Sequence, residues 1–270
     1  MMRSLWTAAT GMTTQQLNVD TIANNLSNIN TTGFKKESAE FKTLLYQTIQ
    51  ETTTDSNGEQ KPVGAQVGLG VRNSAIKSQF TQGNLTQTGN EYDMAIVGNG
   101  FYMVRMNDGS TAYTRNGSFQ MAVVEDGVAL ATSEGYPVLS TEGSPIIISD
   151  DYDITKITIS ESGEISYPDA SNNPVSIGIK IGLAQFNNPS GLEKLSGSLL
   201  AQTGASGEPR LEEQDATLKK SLIRTGYLEA SNVEAIDEMV NLIVAQRAYE
   251  MNSKIITASD EMLRQANNLR

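Results

Sequence analysis

Two short stretches place side chains at spacings that suit chemistry. Gly98-Asn99-Gly100 resembles the start of a phosphate-binding loop, in which bare backbone amides close on a pyrophosphate. The third glycine of that pattern is absent, and a period-two sequence follows where a helix N-terminus would have to receive the phosphate. Asp150-Asp151-Tyr152-Asp153 gathers carboxylates suited to calcium, but it lacks the central glycine and distant glutamate of a calcium loop and reads as a solvated turn. Neither cysteine nor histidine occurs among the 270 residues, which removes thiol nucleophiles, Ser-His-Asp triads and Cys/His zinc sites. A carboxylate pair for glycoside hydrolysis needs a separation of roughly 5 to 9.5 Å, a tertiary property, and nothing in the sequence selects one pair. The expectation is a chain with no catalytic residues, no cofactor and no metal.

Composition narrows the partners. An apolar content of 38% supports one sizeable core or two modest ones. A net charge of −11 disfavours a grip on phosphate backbones or anionic lipid, so nucleic acid is not expected as a partner. Membrane insertion is not expected either, because the longest apolar runs, such as Met94 to Val97 and Leu242 to Ala245, are far too short for a span. MMRSLWTAATGMTTQQ lacks the apolar core of about 7 to 15 residues that a secretory signal needs, so export would proceed without a cleaved signal peptide.

The elements follow from periodicity. Leu5, Met12, Val19 and Leu26 fall on one heptad row, with Ala8, Gln15, Ile22 and Ile29 three residues later, and Gly33 is a plausible helix stop. At the other end Ser231 and Glu234 form a capping-box pattern. Ile236, Val240, Val244, Ala248, Met251, Ile255, Ala258, Met262 and Leu269 then keep close to 4-3 spacing, predicting a helix over about 232–268. Glu250 with Lys254 and Asp260 with Arg264 are candidate i,i+4 pairs. Between the helices the period is two, with strands expected over 101–106, 111–115, 118–124, 128–132, 146–149, 154–160 and 175–186. Asn107-Asp108-Gly109 and Asn116-Gly117 are read as hairpin turns. Segments 52–70 and 196–213 lack strong periodicity and read as joints or extended arms. The predicted fold class is α+β: terminal helices forming a coiled-coil domain (1–45 plus 222–270), a connecting arm (46–90) and a β-rich domain (91–221).

The first helix is oddly polar. Thr7, Thr10, Thr13, Thr14, Asn18, Thr21, Asn24, Asn25, Ser27 and Asn28 each cost on the order of 0.5 kcal/mol relative to Ala, about 5 kcal/mol against the helix in isolation. Burying seam residues against a partner returns roughly 1.5–3 kcal/mol for each large apolar side chain. Order is therefore expected to depend on a partner, either the other helix of the same chain or sister copies. Heterologous contacts between copies would build an open helical array.

Three stretches carry a resemblance. ANNLSNINTTGFKK, VGNGFYMVRMNDGSTAYTRNGSFQ and GYLEASNVEAIDEMVNLIVAQRAYEMNSKIITASDEML resemble, in the same order, the bacterial flagellar axial proteins of the rod and hook. The chain length and LYQTIQETTTDSNGEQKPVGAQVGLGVR are most similar to the distal-rod members, with proximal rod or hook-type members as the alternative. The resemblance implies a non-enzymatic subunit of a hollow drive shaft that transmits motor torque to the hook. It implies export through the flagellar type III apparatus and a basal-body location outside the cytoplasmic membrane. The implied partners are further copies, proximal rod proteins, the hook protein, and P and L rings where the host has an outer membrane. Carried onto this chain, it places Leu5, Met12, Val19, Ile22 and Leu26 in an inner seam with Ile236, Val240, Val244, Met251, Ile255 and Met262. Asn24, Asn25 and Asn28 would make polar contacts there, matched by Gln246, Arg247 and Tyr249, and residues about 46–72 would brace neighbouring subunits. After Gln120 the chain departs from the family's usual Asp-rich turn and Gly-x-Leu, reading Met121-Ala-Val-Val-Glu-Asp-Gly-Val-Ala-Leu130. From another class, a secreted β-rich hydrolase using two carboxylates would use the helices for dimerisation.

Overall fold

A computed structural model describes residues 2–50, 64–124, 127–149, 152–153, 156–169 and 173–268. Residues 51–63 of the expected arm, Glu125-Asp126, Asp150-Asp151, Ile154 and Leu269 lie outside the described residues. The fold is α+β, and the chain divides into two compact units: Met1–Ser27, Glu37–Ser78 and Glu234–Arg270 form one, Asn28–Lys36 and Gln79–Val233 the other.

The helical unit contains α1 (Met2–Ser27), the strands β1 (Glu37–Thr43), β2 (Tyr46–Gln50), β3 (Ala65–Gly68) and β4 (Val71–Ser78), and α2 (Ala235–Asn268). β1 pairs antiparallel with β4, and β2 with β3. Leu44 N–H donates to Gly70 O at 2.9 Å and Leu69 N–H to Leu45 O at 3.2 Å, so the two pairs run on as one ribbon. α1 touches both α2 and the β1–β4 part of the ribbon. Its threonines fit because their hydroxyls turn back on the helix: Thr14 Oγ1 donates to Thr10 O and Thr21 Oγ1 to Leu17 O, each at 2.8 Å, and both side chains are buried. α1 ends at Ser27 rather than at Gly33. Asn28 O instead accepts from Thr31 N–H in a turn, and Gly33, at φ +70°, lies within the β unit, where its N–H donates to Glu229 O at 2.8 Å. α2 begins at Ala235, because Ser231 Oγ accepts from Val233 N–H in a local turn.

The β unit contains β5 (Leu85–Gln87), β6 (Met94–Val97), β7 (Phe101–Arg105), β8 (Thr111–Thr114), β9 (Phe119–Val124), β10 (Gly127–Thr132), β11 (Ile147–Ile148), β12 (Thr158–Ile159), β13 (Glu164–Pro168), β14 (Pro174–Lys180), β15 (Leu183–Gln185), β16 (Glu193–Lys194), β17 (Leu199–Ala201), β18 (Arg210–Leu211), β19 (Leu222–Thr225) and β20 (Tyr227–Glu229). The largest sheet has the order β16-β17-β8-β7-β15-β18; β11-β10-β9 and β12-β13-β14 form three-stranded sheets, and β19-β6 and β20-β5 form pairs. The core packs Met94, Ile96, Tyr102, Phe119, Leu130, Ile146, Ile165, Ile181 and Ile223, with Tyr102 and Phe119 edge to face at 4.9 Å. A second cluster joins Phe101, Tyr113 and Phe186, where the Tyr113 and Phe186 rings meet edge to face at 4.8 Å.

Asn107-Asp108-Gly109 does join paired strands, β7 and β8, with Gly109 at φ +83°. Asn116-Gly117 does not: β8 pairs with β7 and β17, whereas β9 pairs with β10 in another sheet. The glycine there serves close approach, since Gly117 O accepts from Met94 N–H at 2.9 Å and a Cβ on Gly117 would lie 1.6 Å from Met94 O. The 175–186 stretch is broken into β14 and β15 at Ile181-Gly182, and 196–213 contributes β17 and β18 to the largest sheet. Gly117→Ala is expected to cost about 1–3 kcal/mol through overpacking, read as a lower urea midpoint of the full chain with the denaturant slope unchanged.

Candidate assembly interface

Within the helical unit, α1 and α2 run antiparallel in a register that repeats every seven residues. Ser4 Oγ lies 3.3 Å from Ser259 Oγ. A Cβ on Gly11 would lie 2.9 Å from Asn252 Nδ2. Asn25 Nδ2 donates to Glu238 Oε2 at 3.0 Å. Asn18 and Ala245 occupy the intervening step, and Ala245 is buried. This contact line is small and polar. It lies one residue from the apolar row Leu5, Met12, Val19 and Leu26, all half-buried, while Ala8 and Ile22 are buried beside it.

Besides Glu238, Ala245, Asn252 and Ser259, the same side of α2 carries the half-buried Leu242, Ile256 and Leu263, while most of its other large apolar side chains point to solvent. Ile236, Val240, Ile243, Val244, Met251, Ile255 and Met262 are all exposed and share one helical face. The exposed face of α1 is polar by contrast, carrying Arg3, Thr7, Thr13, Gln16, Asp20 and Asn24, with Trp6 as a large apolar exception. Large exposed apolar patches are rare on monomers and typical of interaction surfaces. On its flanks Gln246 and Tyr249 are exposed, Arg247 Nη1 donates to Glu250 Oε2 at 2.8 Å, and Asp260 pairs with Arg264 at 3.0 Å. Glu250 thus pairs with Arg247 three residues before it.

The expected asparagines divide. Asn25 is buried, donating to Glu37 O at 2.8 Å and accepting from Glu37 N–H at 2.8 Å besides its bond to Glu238, so it clamps β1 and α2 to α1. Asn24 is exposed, and Asn28 is half-buried with its Oδ1 accepting from Thr31 Oγ1 at 3.0 Å. Glu238 was not legible as a partner of Asn25, because a glutamate in the first turn of a helix ordinarily reads as dipole compensation.

In the β unit, sequence reasoning also missed a buried ion cluster. Glu229 Oε1 accepts from Lys35 Nζ at 2.5 Å and from Gly83 N–H at 2.8 Å, and Oε2 accepts from Arg115 Nη1 at 3.3 Å. Lys35 Nζ also donates to Thr81 O, Arg115 Nη2 donates to Gly98 O, both at 2.8 Å, and the Arg115 guanidinium lies 5.0 Å from the Phe101 ring centroid. Burial lowers the pKa of Lys35, against the attraction of Glu229, and burial likewise lowers that of Arg115. Each of the three quoted stretches contributes one member of this cluster, which closes the segment leading out of α1 onto the strand leading into α2. Beside it Glu212 accepts from Ser221 N–H and Oγ at 2.7 Å and from Gln185 Nε2 at 2.8 Å, while Ser221 Oγ accepts from Gly100 N–H at 3.0 Å. The Gly98 carbonyl and the Gly100 amide are therefore taken up by these internal contacts.

Similarity to known proteins follows the same division of the chain. Residues 5–35 match the family described as flagella basal body rod protein, residues 95–167 the flagellar hook protein FlgE/F/G D1 domain, and residues 224–269 the flagellar basal body rod FlgEFG protein C-terminal family. The chain is 47% identical to the flagellar basal-body rod protein FlgG of Borreliella burgdorferi, over 100% of this chain and 99% of that one. It is 43% identical to FlgG of Agrobacterium fabrum over 97% of each, and 36% identical to FlgG of Bacillus subtilis over the whole of both. The chain belongs to the flagellar basal-body rod protein family. In this rod-family chain Lys35 closes the first matched region, Arg115 lies in the second and Glu229 in the third.

Removing Glu229 leaves two buried cations without their carboxylate. Glu229→Gln is therefore expected to cost about 3–5 kcal/mol, and Lys35→Met, which leaves Glu229 with Arg115, much less. Because the folded chain holds Lys35 below its ordinary pKa of 10.5, it binds fewer protons there than the unfolded chain as pH climbs toward that value. Wild type should accordingly gain stability relative to Lys35→Met as pH rises toward 10.5, measured by urea denaturation at several pH values.

Proposed function

We propose that this chain is a structural, non-enzymatic subunit of the flagellar distal rod that assembles with copies of itself into a hollow drive shaft carrying motor torque to the hook. The exposed apolar stripe of α2 carries the reading: covering the exposed part of each Val, Ile or Met along it is worth roughly 1–2 kcal/mol, and among the described residues it has no cover. α1 and α2 form the coiled-coil inner layer, with Ile236, Val240, Val244, Met251, Ile255 and Met262 seated against neighbouring copies. Leu5, Met12, Val19, Ile22 and Leu26 line the α1 side, and Asn24, Asn28, Gln246, Arg247 and Tyr249 make polar contacts around it. Asn25 supports the same layer by fixing the spacing of α1, β1 and α2.

The ribbon serves as the bracing arm. Every residue of β2 is exposed, Tyr46 and Ile49 among them, and a two-stranded ribbon is marginal alone in water, so ordering against a neighbour stiffens it. Proximal rod proteins and the hook protein take the two ends of the shaft, the type III apparatus delivers the subunit, and P and L rings surround it where the host has an outer membrane.

Electron microscopy of purified full-length chain at high concentration should show tubes. Val244→Asp, at an exposed position, should abolish them while leaving the urea midpoint of the subunit unchanged. Normal tubes from this variant would overturn the placement of the interface on α2.

A further inference from the structure

The exposed stripe of α2 carries chemistry as well as apolar area. Met251 and Met262 are 59% and 50% exposed, whereas Met94 and Met103 in the β unit are 0% and 4% exposed. Eleven residues separate the two on α2, about three helical turns, so both thioethers lie on the same stripe as Val240, Val244 and Ile255. Met239, 48% exposed, lies about 120° around the helix from Met251 and falls at the margin of that stripe.

We propose that Met251 and Met262 are a reversible oxidation site through which peroxide blocks assembly of the free subunit; the inference rests on the α2 interface proposed above. Each thioether sulfur takes one oxygen atom from hydrogen peroxide. The O–O bond breaks, the sulfur is oxidised to the sulfoxide, and the second peroxide oxygen leaves as water. The product is a polar, chiral sulfoxide where burial needs an apolar group, so its dipole has to be desolvated without a partner before the stripe can close on a neighbour. Once the stripe is covered the sulfurs are shielded, which makes the site selective for subunits not yet assembled. The buried Met94 and Met103 sulfurs supply an internal comparison in the same chain.

The test treats full-length subunit with hydrogen peroxide, maps sulfoxides by peptide mass spectrometry and scores tubes by electron microscopy. The expected result is oxidation of Met251 and Met262 ahead of Met94 and Met103, loss of tubes, and recovery after methionine sulfoxide reductases A and B with dithiothreitol. A double variant, Met251→Leu with Met262→Leu, should assemble equally well before and after peroxide, and Met239→Leu should give no protection. Tubes from oxidised wild type, or a double variant as sensitive as wild type, would overturn the site. If untreated wild type forms no tubes, the assembly reading is what fails. The oxidation site is then judged by mass spectrometry alone, and it too is overturned if Met251 and Met262 oxidise no faster than Met94.

Discussion

The contact between α1 and α2 follows a line of small and polar side chains, and much of the helical unit is arranged around it. Ser4, Gly11 and Asn25 face Ser259, Asn252 and Glu238, which brings the helices close along that line, with Leu5, Met12, Val19 and Leu26 of α1 and Leu242, Ile256 and Leu263 of α2 half-buried. The gain from dispersion and hydrogen bonding along such a line is specific in register but modest in apolar area. Ile236, Val240, Ile243, Val244, Met251, Ile255 and Met262 of α2 lie on another face and stay exposed. α2 thus divides its large apolar residues between a half-buried set and an exposed stripe.

The β unit solves a different problem with charge. Lys35, Arg115 and Glu229 come from segments far apart in sequence, and each would be costly to bury alone. Together with the carbonyls of Thr81 and Gly98 and the amide of Gly83, they satisfy one another only when these strands meet in one arrangement. An apolar cluster of similar volume would tolerate a slipped strand; a carboxylate between two cations does not. The cluster therefore contributes more to which segments meet than to how strongly they hold.

Much of this was legible where local chemistry decides. The two long helices, the α+β class and the turn at Asn107-Asp108-Gly109 follow from spacing and from the need for a glycine at φ +83°. Asn116-Gly117 carries the same turn chemistry, yet its glycine is required by the carbonyl of Met94 pressing against it, a contact between strands that no local pattern encodes. The ribbon strands were illegible for a related reason: β2 is exposed along its whole length, so no alternation between core and solvent was imprinted on it. In α2 the apolar period gave the helix correctly, but periodicity cannot say whether an apolar face meets the same chain or another. The contact line of Glu238, Ala245, Asn252 and Ser259, being small and polar, left no hydrophobic trace of its own.

That the outward stripe stays on a subunit of net charge −11 sets two forces against each other. In the proposed assembly, copies approaching through α2 would gain apolar burial at short range, while their like charges repel over roughly the Debye length, about 8 Å at physiological ionic strength. The repulsion falls as salt rises; the burial term does not weaken with it. Glu250 and Asp260 on α2 are engaged by Arg247 and Arg264 on the same helix, so part of the acidic charge closest to the stripe is compensated where contact would form. In that assembly, separating net charge from the local charge of the contact face would let one chain stay dispersed when dilute and still close on a neighbour held in register.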